Sequence, residues 1–464
     1  MLDRMANLGK WDEFSEVKYH QKEVDMPSED GLVEEAWSDM AEAPDLRDRK
    51  DARSWDDKMA QMRKEWKGSE EDLKGLQEVM AKEKEIFDPP RPGTVKHYEA
   101  HLRKIPGMNI THASRRSILN HREERIAQEK AEELQADDFT EFSDSPISSH
   151  VRMVPKPDGA LRFCVNYYRA NKIIEGERYP LPKIDDCMRK LKHAKYYSVL
   201  DLKNGFWQIP LSRKSRWLTA FVVGMTLYQW KVLPMGLKNS PGIFQAAMQK
   251  MLGRQFEDGR AGGFMEKYGQ RAEDYAFCYI DDIIIYSNTM EEHLAHIRDI
   301  FRRVREFGLK VNMDKCQFAT QQVTYLGYDI SNGTVAIAAK KREAVGSIKK
   351  PQTRSELFSF IALAQYYSQF FPNWSETVKP LRELYLKGDM REWTPKQEET
   401  FEFIKEMLTR DPKLNKDCIL MMPDVEKQYV LDTDASKYAI GVVLQQYDAN
   451  GVLRPIMYLS RKLN

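Results

Sequence analysis

The run YAFCYIDDIIIYS, Tyr275 to Ser287, sets two adjacent aspartates, Asp281 and Asp282, between segments of strong strand formers. Aspartate is depleted in strands, and a charge flanked by Ile280, Ile283, Ile284 and Ile285 is costly unless something positive lies against it. Successive strand residues point to opposite faces, so both carboxylates cannot address one ion from inside a continuous strand. At the tip of a hairpin they can. The sequence therefore predicts that AFCYI and IIIYS form two arms with the acids at their turn and a bound cation as partner. Asp201, isolated between Leu200 and Leu202 in YYSVLDLKNGFWQIPL, would complete the site from a neighbouring strand, although a lone aspartate is more often a turn or cap residue. Hard divalent cations such as Mg²⁺ take oxygen ligands, and two of them about 3.5–4 Å apart serve phosphoryl transfer. An isolated xDDx hairpin is usually a surface turn, so the rest of the chain has to decide.

The 464 residues, 42% hydrophobic and 11% aromatic, are enough for several domains with real cores. No apolar run approaches the length of a bilayer span, and the opening MLDRMANLGKWDEFSEVKY is acidic where a signal or transit peptide would be basic and apolar. An intracellular protein, cytoplasmic or nuclear, without membrane contact is expected. Cys164, Cys187, Cys278, Cys316 and Cys418 form neither a CxxC motif nor a Cys/His cluster, so neither a disulfide framework nor a zinc knuckle is indicated and buried, reduced thiols are expected. Residues 1–88 hold 15 basic against 25 acidic residues, a balance of −10 that leaves +11 of the total +1 on residues 89–464. A basic body suits a polyanion such as nucleic acid, and equally an ordinary solvated surface.

In the acidic arm, Trp55, Met59, Met62, Trp66, Leu73, Leu76 and Met80 follow a 4,3 spacing broken only at Ser69 and predict one long amphipathic helix. Packing on its own protein is the favoured reading, a partner protein the alternative. FDPPRPG, Phe87 to Gly93, marks a boundary. VRMVPKPDGALRFCVNY alternates around Asp158-Gly159 and predicts a hairpin flap whose Lys156 and Arg162 could clamp a triphosphate or simply decorate a solvated surface. LPMGLKNSPGIFQ leads through Pro234-Met235-Gly236 into a helix capped near Asn239 or Ser240. YLGYDISNG reads as an apolar strand ending in a turn. Thr353 with Glu356, and Thr394 with Pro395 and Gln397, open two helices, and Asn450-Gly451 predicts a closing hairpin.

Taken in order, VPKPDGALRFCVNY, RYPLPKIDD, YYSVLDLKNGFWQIPL, TAFVV, LPMGLKNSPGIFQ, YIDDIIIYS, EEHLAHI, KCQF, YLGY and TDASKYAIGVVLQQ resemble the reverse transcriptases of gypsy-type LTR retrotransposons, from about residue 100 onward. The resemblance implies an α+β right-hand polymerase. Its domains would be an acidic, largely helical arm (1–95), fingers and palm (96–334), thumb or connection helices (335–415) and an incomplete ribonuclease H-like domain (416–464). It implies an RNA-directed DNA polymerase with two Mg²⁺ ions, Mn²⁺ being an alternative, acting on an RNA template, a DNA or RNA primer and dNTPs. Asp201, Asp281 and Asp282 match the palm carboxylates and metal ligands, and Lys156 and Arg162 the triphosphate contacts. Phe206 matches the gate against a ribose 2′-hydroxyl, and Met235 lies in the nucleotide pocket. Leu326 and Gly327 match the primer grip, and Asp434 the first ribonuclease H carboxylate. With that carboxylate alone, no nuclease activity is expected.

The chain also departs from the family pattern. CVNYYRANK has Asn166 in place of an acid and Tyr168 in place of an arginine, Met235 replaces the usual Phe or Gln, and the segment between Leu252 and Tyr275 is long and glycine-rich. Two other readings compete: a retired element copy serving as an RNA-binding or structural subunit, and an RNA polymerase. The intact carboxylates oppose the first, and Phe206 with the TDAS segment opposes the second.

Overall fold

Two serines decide how the arm folds. In the computed structural model, which describes residues 40–42, 54–108, 119–155, 160–177, 179–253 and 271–463, Ser54 caps helix α1 (Trp55–Glu65) and Ser69 caps helix α2 (Glu70–Lys82). The single long helix expected from the 4,3 spacing is therefore two, and the residue that interrupts the apolar pattern is the one that starts the second. The indole N–H of Trp66 donates to the Ser69 carbonyl at 2.9 Å and closes the corner. Leu73, Leu76, Val79 and Met80 are buried, whereas Trp55, Met59, Met62 and Trp66 are half-buried against the same core. The arm's apolar face thus lies on its own protein.

Among the described residues, seven strands precede residue 231: β1 (Met40–Glu42), β2 (Thr140–Phe142), β3 (Ser149–Pro155), β4 (Leu161–Asn166), β5 (Tyr196–Asp201), β6 (Phe221–Val223) and β7 (Thr226–Trp230). All but β5 form one sheet, ordered β1-β4-β3-β6-β7-β2, against which helix α3 (His121–Ala136) packs. Strands β3 and β4 are the antiparallel arms expected for the flap, in register from His150↔Asn166 to Pro155↔Leu161. The tip, with Lys156 and Asp158-Gly159, lies outside the described residues, as do residues 254–270 of the glycine-rich segment.

Helix α4 (Ser240–Gly253), strands β8 (Ala276–Tyr279) and β9 (Asp282–Ser287), helix α5 (Met290–Phe307) and strand β10 (Gln317–Thr320) build the centre around β5, in a sheet ordered β10-β5-β9-β8. Here the isoleucine run is explained. Ile283 and Ile285 enter one core with Ile297, Ile300 and Phe301 of α5, while Ile284, pointing the other way, enters a second core with Val323, Tyr325 and Phe360. A sheet covered on both faces needs apolar residues at every position.

The second core is roofed by strands β11 (Gln322–Tyr325), β12 (Tyr328–Ser331), β13 (Thr334–Ile337) and β14 (Ile419–Met421) and by helices α6 (Arg354–Tyr366) and α7 (Pro395–Thr409), whose Thr353 and Thr394 capping boxes form as expected. The YLGY segment departs from the expected strand: Leu326 and Gly327 have φ of 50° and 83° and turn the chain between β11 and β12. Alternation of apolar residues ran on through the turn and concealed it. Strands β15 (Val430–Ala435), β16 (Ala439–Tyr447) and β17 (Leu453–Lys462) form a last antiparallel sheet, with Asn450-Gly451 inside the predicted hairpin's connection.

Candidate active site

Strands β5 and β9 run antiparallel with Asp201 and Asp282 as register partners at the end of the pairing, and Tyr279 opposite Asp282 on β8. Ile280 and Asp281 are the two turn residues, and the Leu202 N–H reaches the Asp281 carbonyl at 3.4 Å. All three carboxylates therefore meet at one end of the central sheet. The turn is strained. Ile280 has φ of 51°, a left-handed conformation that is an outlier for a β-branched residue. Gln245 of α4 holds it: its Nε2 donates to the Cys278 carbonyl at 3.0 Å, and its Oε1 accepts the Ile280 N–H at 2.9 Å.

The electrostatics show three negative groups with too little positive charge. Burial, then Asp282 and Asp201, push the Asp281 carboxyl up to about 7; burial and Asp201 push Asp282 up to about 6. Asp201 is also raised by burial, opposed by Lys315 and by a hydrogen bond from Asn312. Lys315 is the cation at hand, its Nζ 3.9 Å from Asp201 Oδ1, but its side chain is 68% exposed. Asp281 Oδ1 is buried with no hydrogen-bond partner. An orphaned buried oxygen beside two further carboxylates fits a hard divalent cation, which would reverse each of these shifts. Among the described residues no group of three or more His, Cys, Asp or Glu side chains is arranged to hold a metal ion by itself.

The other candidate residues lie around this turn or apart from it. Phe206 is 7% exposed in a one-turn helix, Gly205–Gln208, its ring 4.8 Å from that of Phe244 on α4. Met235 is half-buried against the first core. Its loop is clasped by Asn171 of the CVNYYRANK segment, whose Nδ2 donates to the Gly236 carbonyl at 3.0 Å and whose Oδ1 accepts the Lys238 N–H at 2.9 Å. The departures in that segment are accommodated: Asn166 Oδ1 accepts the Tyr168 N–H at 2.9 Å, and Lys172 Nζ sits 4.4 Å from the Tyr168 ring centroid. Arg162 is exposed on β4, facing Val154 in register, and Lys156 lies outside the described residues. Leu326 and Gly327 form the β11–β12 turn, where Tyr325 Oη comes within 3.5 Å of the Asp282 carbonyl. Asp434 is exposed on β15 in the separate last sheet, with its Oδ1 accepting the Ala435 N–H at 2.9 Å. All five cysteines are free thiols.

Residues 154–330, which contain this carboxylate group, match the family profile "Reverse transcriptase (RNA-dependent DNA polymerase)", and residues 393–464 match "RNase H-like domain found in reverse transcriptase". The chain carries a reverse transcriptase domain. Its relatives include the retrovirus-related Pol polyprotein from transposon 297 of Drosophila melanogaster, 34% identical over 69% of this chain and 28% of that protein. The transposon Tf2-3 polyprotein of Schizosaccharomyces pombe is 31% identical over 68% of this chain and 22% of that protein. These are polyproteins of gypsy-type LTR retrotransposons, and the chain spans 28% and 22% of their lengths. In fold it is similar to foamy viral protease-reverse transcriptase solved with dsDNA, at a TM-score of 0.70 and 24% identity over 89% of this chain and 81% of that one. A second structure of that protein, with RNA/DNA hybrid, gives 0.68 at 23% identity over 88% and 52%. The right-hand polymerase fold with the start of a ribonuclease H-like domain is thus the one the residues foretold. The family depends on divalent metal, in keeping with the orphaned oxygen. Among the described residues no helix is long and apolar enough to cross a membrane.

Three residues around the carboxylates of this reverse transcriptase domain are silent in the motif pattern. Gln245 is 1% exposed on an otherwise apolar helix face, and a glutamine inside SPGIFQAAM was the available signal. Gly205 touches Asp281, and Lys315 supplies the counter-charge; neither is distinguishable in sequence from a loop glycine or a surface lysine.

Proposed function

We propose that the chain is an RNA-directed DNA polymerase that adds dNTPs to a primer paired with an RNA template. The observation that carries the reading is the meeting of Asp201, Asp281 and Asp282 at one sheet end with an unneutralised buried oxygen. Asp201 and Asp281 would hold divalent cations, Mg²⁺ or alternatively Mn²⁺, with Asp282 beside them keeping the local charge negative. Two such ions, when bound, supply charge neutralisation for the attacking primer hydroxyl and the departing pyrophosphate. Phe206 restricts the space beside the sugar and selects deoxynucleotides. Met235 lines the nucleotide pocket, Lys156 and Arg162 contact the triphosphate, and Leu326 and Gly327 seat the primer end. Asp434 belongs to the ribonuclease H-like part.

The domains in this reading are the arm (1–95), fingers and palm (96–334), thumb and connection (335–415) and the ribonuclease H-like segment (416–464). The nucleic-acid complexes of the foamy viral neighbour and the +11 balance of residues 89–464 support a nucleic-acid duplex as the partner. The test is primer extension on an RNA template with dNTPs and Mg²⁺. Extension by the wild-type chain that is lost in Asp281→Asn supports the reading; RNA binding without any extension overturns it.

A further inference from the structure

Helix α6 ends against the Leu326–Gly327 turn. Both turn residues have positive φ, 50° and 83°, as a two-residue hairpin turn between the register partners Tyr325 and Tyr328 requires. Leucine has a Cβ that disfavours this conformation, so contacts from outside the hairpin must hold it. Tyr366 Oη donates to the Leu326 carbonyl at 2.8 Å, and Tyr367 Oη to the Gly327 carbonyl at 3.3 Å. The Ala338 N–H reaches that second carbonyl at 3.0 Å. Tyr367 is 1% exposed and anchored in the second core, whereas Tyr366 is 41% exposed and stacks on Tyr328 with ring centroids 5.7 Å apart. A Cβ at position 327 would stand 2.8 Å from Tyr367 Oη.

We infer that Tyr366 and Tyr367 are positioning residues for DNA synthesis: their hydroxyls tie the Leu326–Gly327 turn to α6 and so set where the primer end sits relative to Asp281 and Asp282. The inference rests on the reading of Leu326 and Gly327 as the primer contact. The two tyrosines act through the turn's carbonyls and touch no reacting atom. Any shift of α6 is transmitted to the turn through these two bonds, and from the turn through Tyr325 to the backbone of Asp282.

The experiment uses the full chain, an RNA template and a DNA primer carrying 2-aminopurine at its 3′ end. Tyr366→Phe keeps the ring and its stacking and removes the hydrogen bond. Its maximal single-turnover extension rate should fall about tenfold, with the dissociation constant for the duplex held within about twofold. The 2-aminopurine fluorescence of the binary complex should shift, and the Tyr366→Phe/Tyr367→Phe pair should shift it further. A double variant with the wild-type rate and the wild-type fluorescence overturns the inference. So does a rate loss that follows a lowered melting temperature while the fluorescence stays unchanged. Should the wild-type chain bind the duplex and extend nothing, the polymerase reading fails; the fluorescence of bound primer then decides the tyrosines' role by itself, a shift supporting it and identity refuting it.

Discussion

A methyl group on Gly205 would stand 2.7 Å from Asp281 Oδ1 and 2.9 Å from the Phe244 ring. Glycine is therefore required here for close approach, with no call on its backbone freedom. Gly205→Ala should displace the Asp281 carboxylate and lower primer extension about tenfold or more, since a misplacement of about 1 Å costs about a hundredfold in rate. Circular dichroism of the variant should remain that of the wild type. Activity within about threefold of wild type would mean that the carboxylate's position is less critical than its charge.

Gln245 is bonded on both sides of the Ile280–Asp281 turn. Replacing it by leucine keeps the volume but leaves the Cys278 carbonyl and Ile280 N–H without partners, which should cost about 2–5 kcal/mol in denaturant unfolding. Gln245→Glu, measured at a pH low enough to keep the buried acid protonated, can make both hydrogen bonds and should lose less stability than Gln245→Leu. Equal stability of the two variants would show that the turn is held by other contacts.

Phe206 packs on Phe244 with its side chain nearly buried. Phe206→Ala should raise ribonucleotide incorporation relative to dNTP at least about tenfold, the scale on which a pocket discriminates by shape. Competition between paired rNTP and dNTP on an RNA template measures it, at a temperature where the variant remains folded. An unchanged preference refutes the gate assignment.

Two histidines of EEHLAHI, His293 and His296, are buried behind the central sheet. The Ala319 N–H donates to Ser198 Oγ at 2.9 Å, so the Ser198 hydroxyl can donate to His293 Nε2 2.8 Å away, leaving His293 Nδ1–H for Ser287 Oγ at 2.8 Å. Ser287 Oγ in turn lies 2.7 Å from His296 Nδ1. Burial, with His296 beside it, drives the His293 pKa down to about 3; burial takes His296 to about 4 against the pull of Glu292 and Asp299. Between the ordinary value of 6.5 and these lowered values the unfolded chain takes up protons that the folded chain refuses. Stability from His293 is complete above pH 6.5 and declines as pH falls, by about 2 kcal/mol at pH 5. The raised Asp281 and Asp282 carboxyls gain stability over the same range and oppose this decline. Urea unfolding of the wild type and of His293→Gln from pH 7.5 to 5 should therefore show the wild type losing stability relative to the variant, and a difference between the two that stays level would contradict the neutral assignment.

Much of this protein was legible in its residues because their chemistry is local. The capping boxes at Thr353 and Thr394 are made within one turn of helix, so residue types and spacing specify them. Two adjacent aspartates among isoleucines pointed to a turn, and Asp281 lies in one, although the turn is set one residue earlier than expected, with Ile280 inside it and Asp282 opening β9. The turn at Leu326 was hidden within an apolar pattern that continues across it, and the interruption at Ser69, though visible, did not by itself tell a helix break from a polar residue on one helix.

What the sequence by itself determined was the list of chemical groups and the strands and helices that carry them, because periodicity and capping act over a few residues. Only the tertiary structure decided that Asp201 pairs with Asp282, that Gly205 makes room for Asp281, and that Gln245 and Tyr366 brace turns far from them in the chain. Those relationships depend on strand register and side-chain packing between distant segments, and no local residue pattern specifies which partners the completed core will bring into contact.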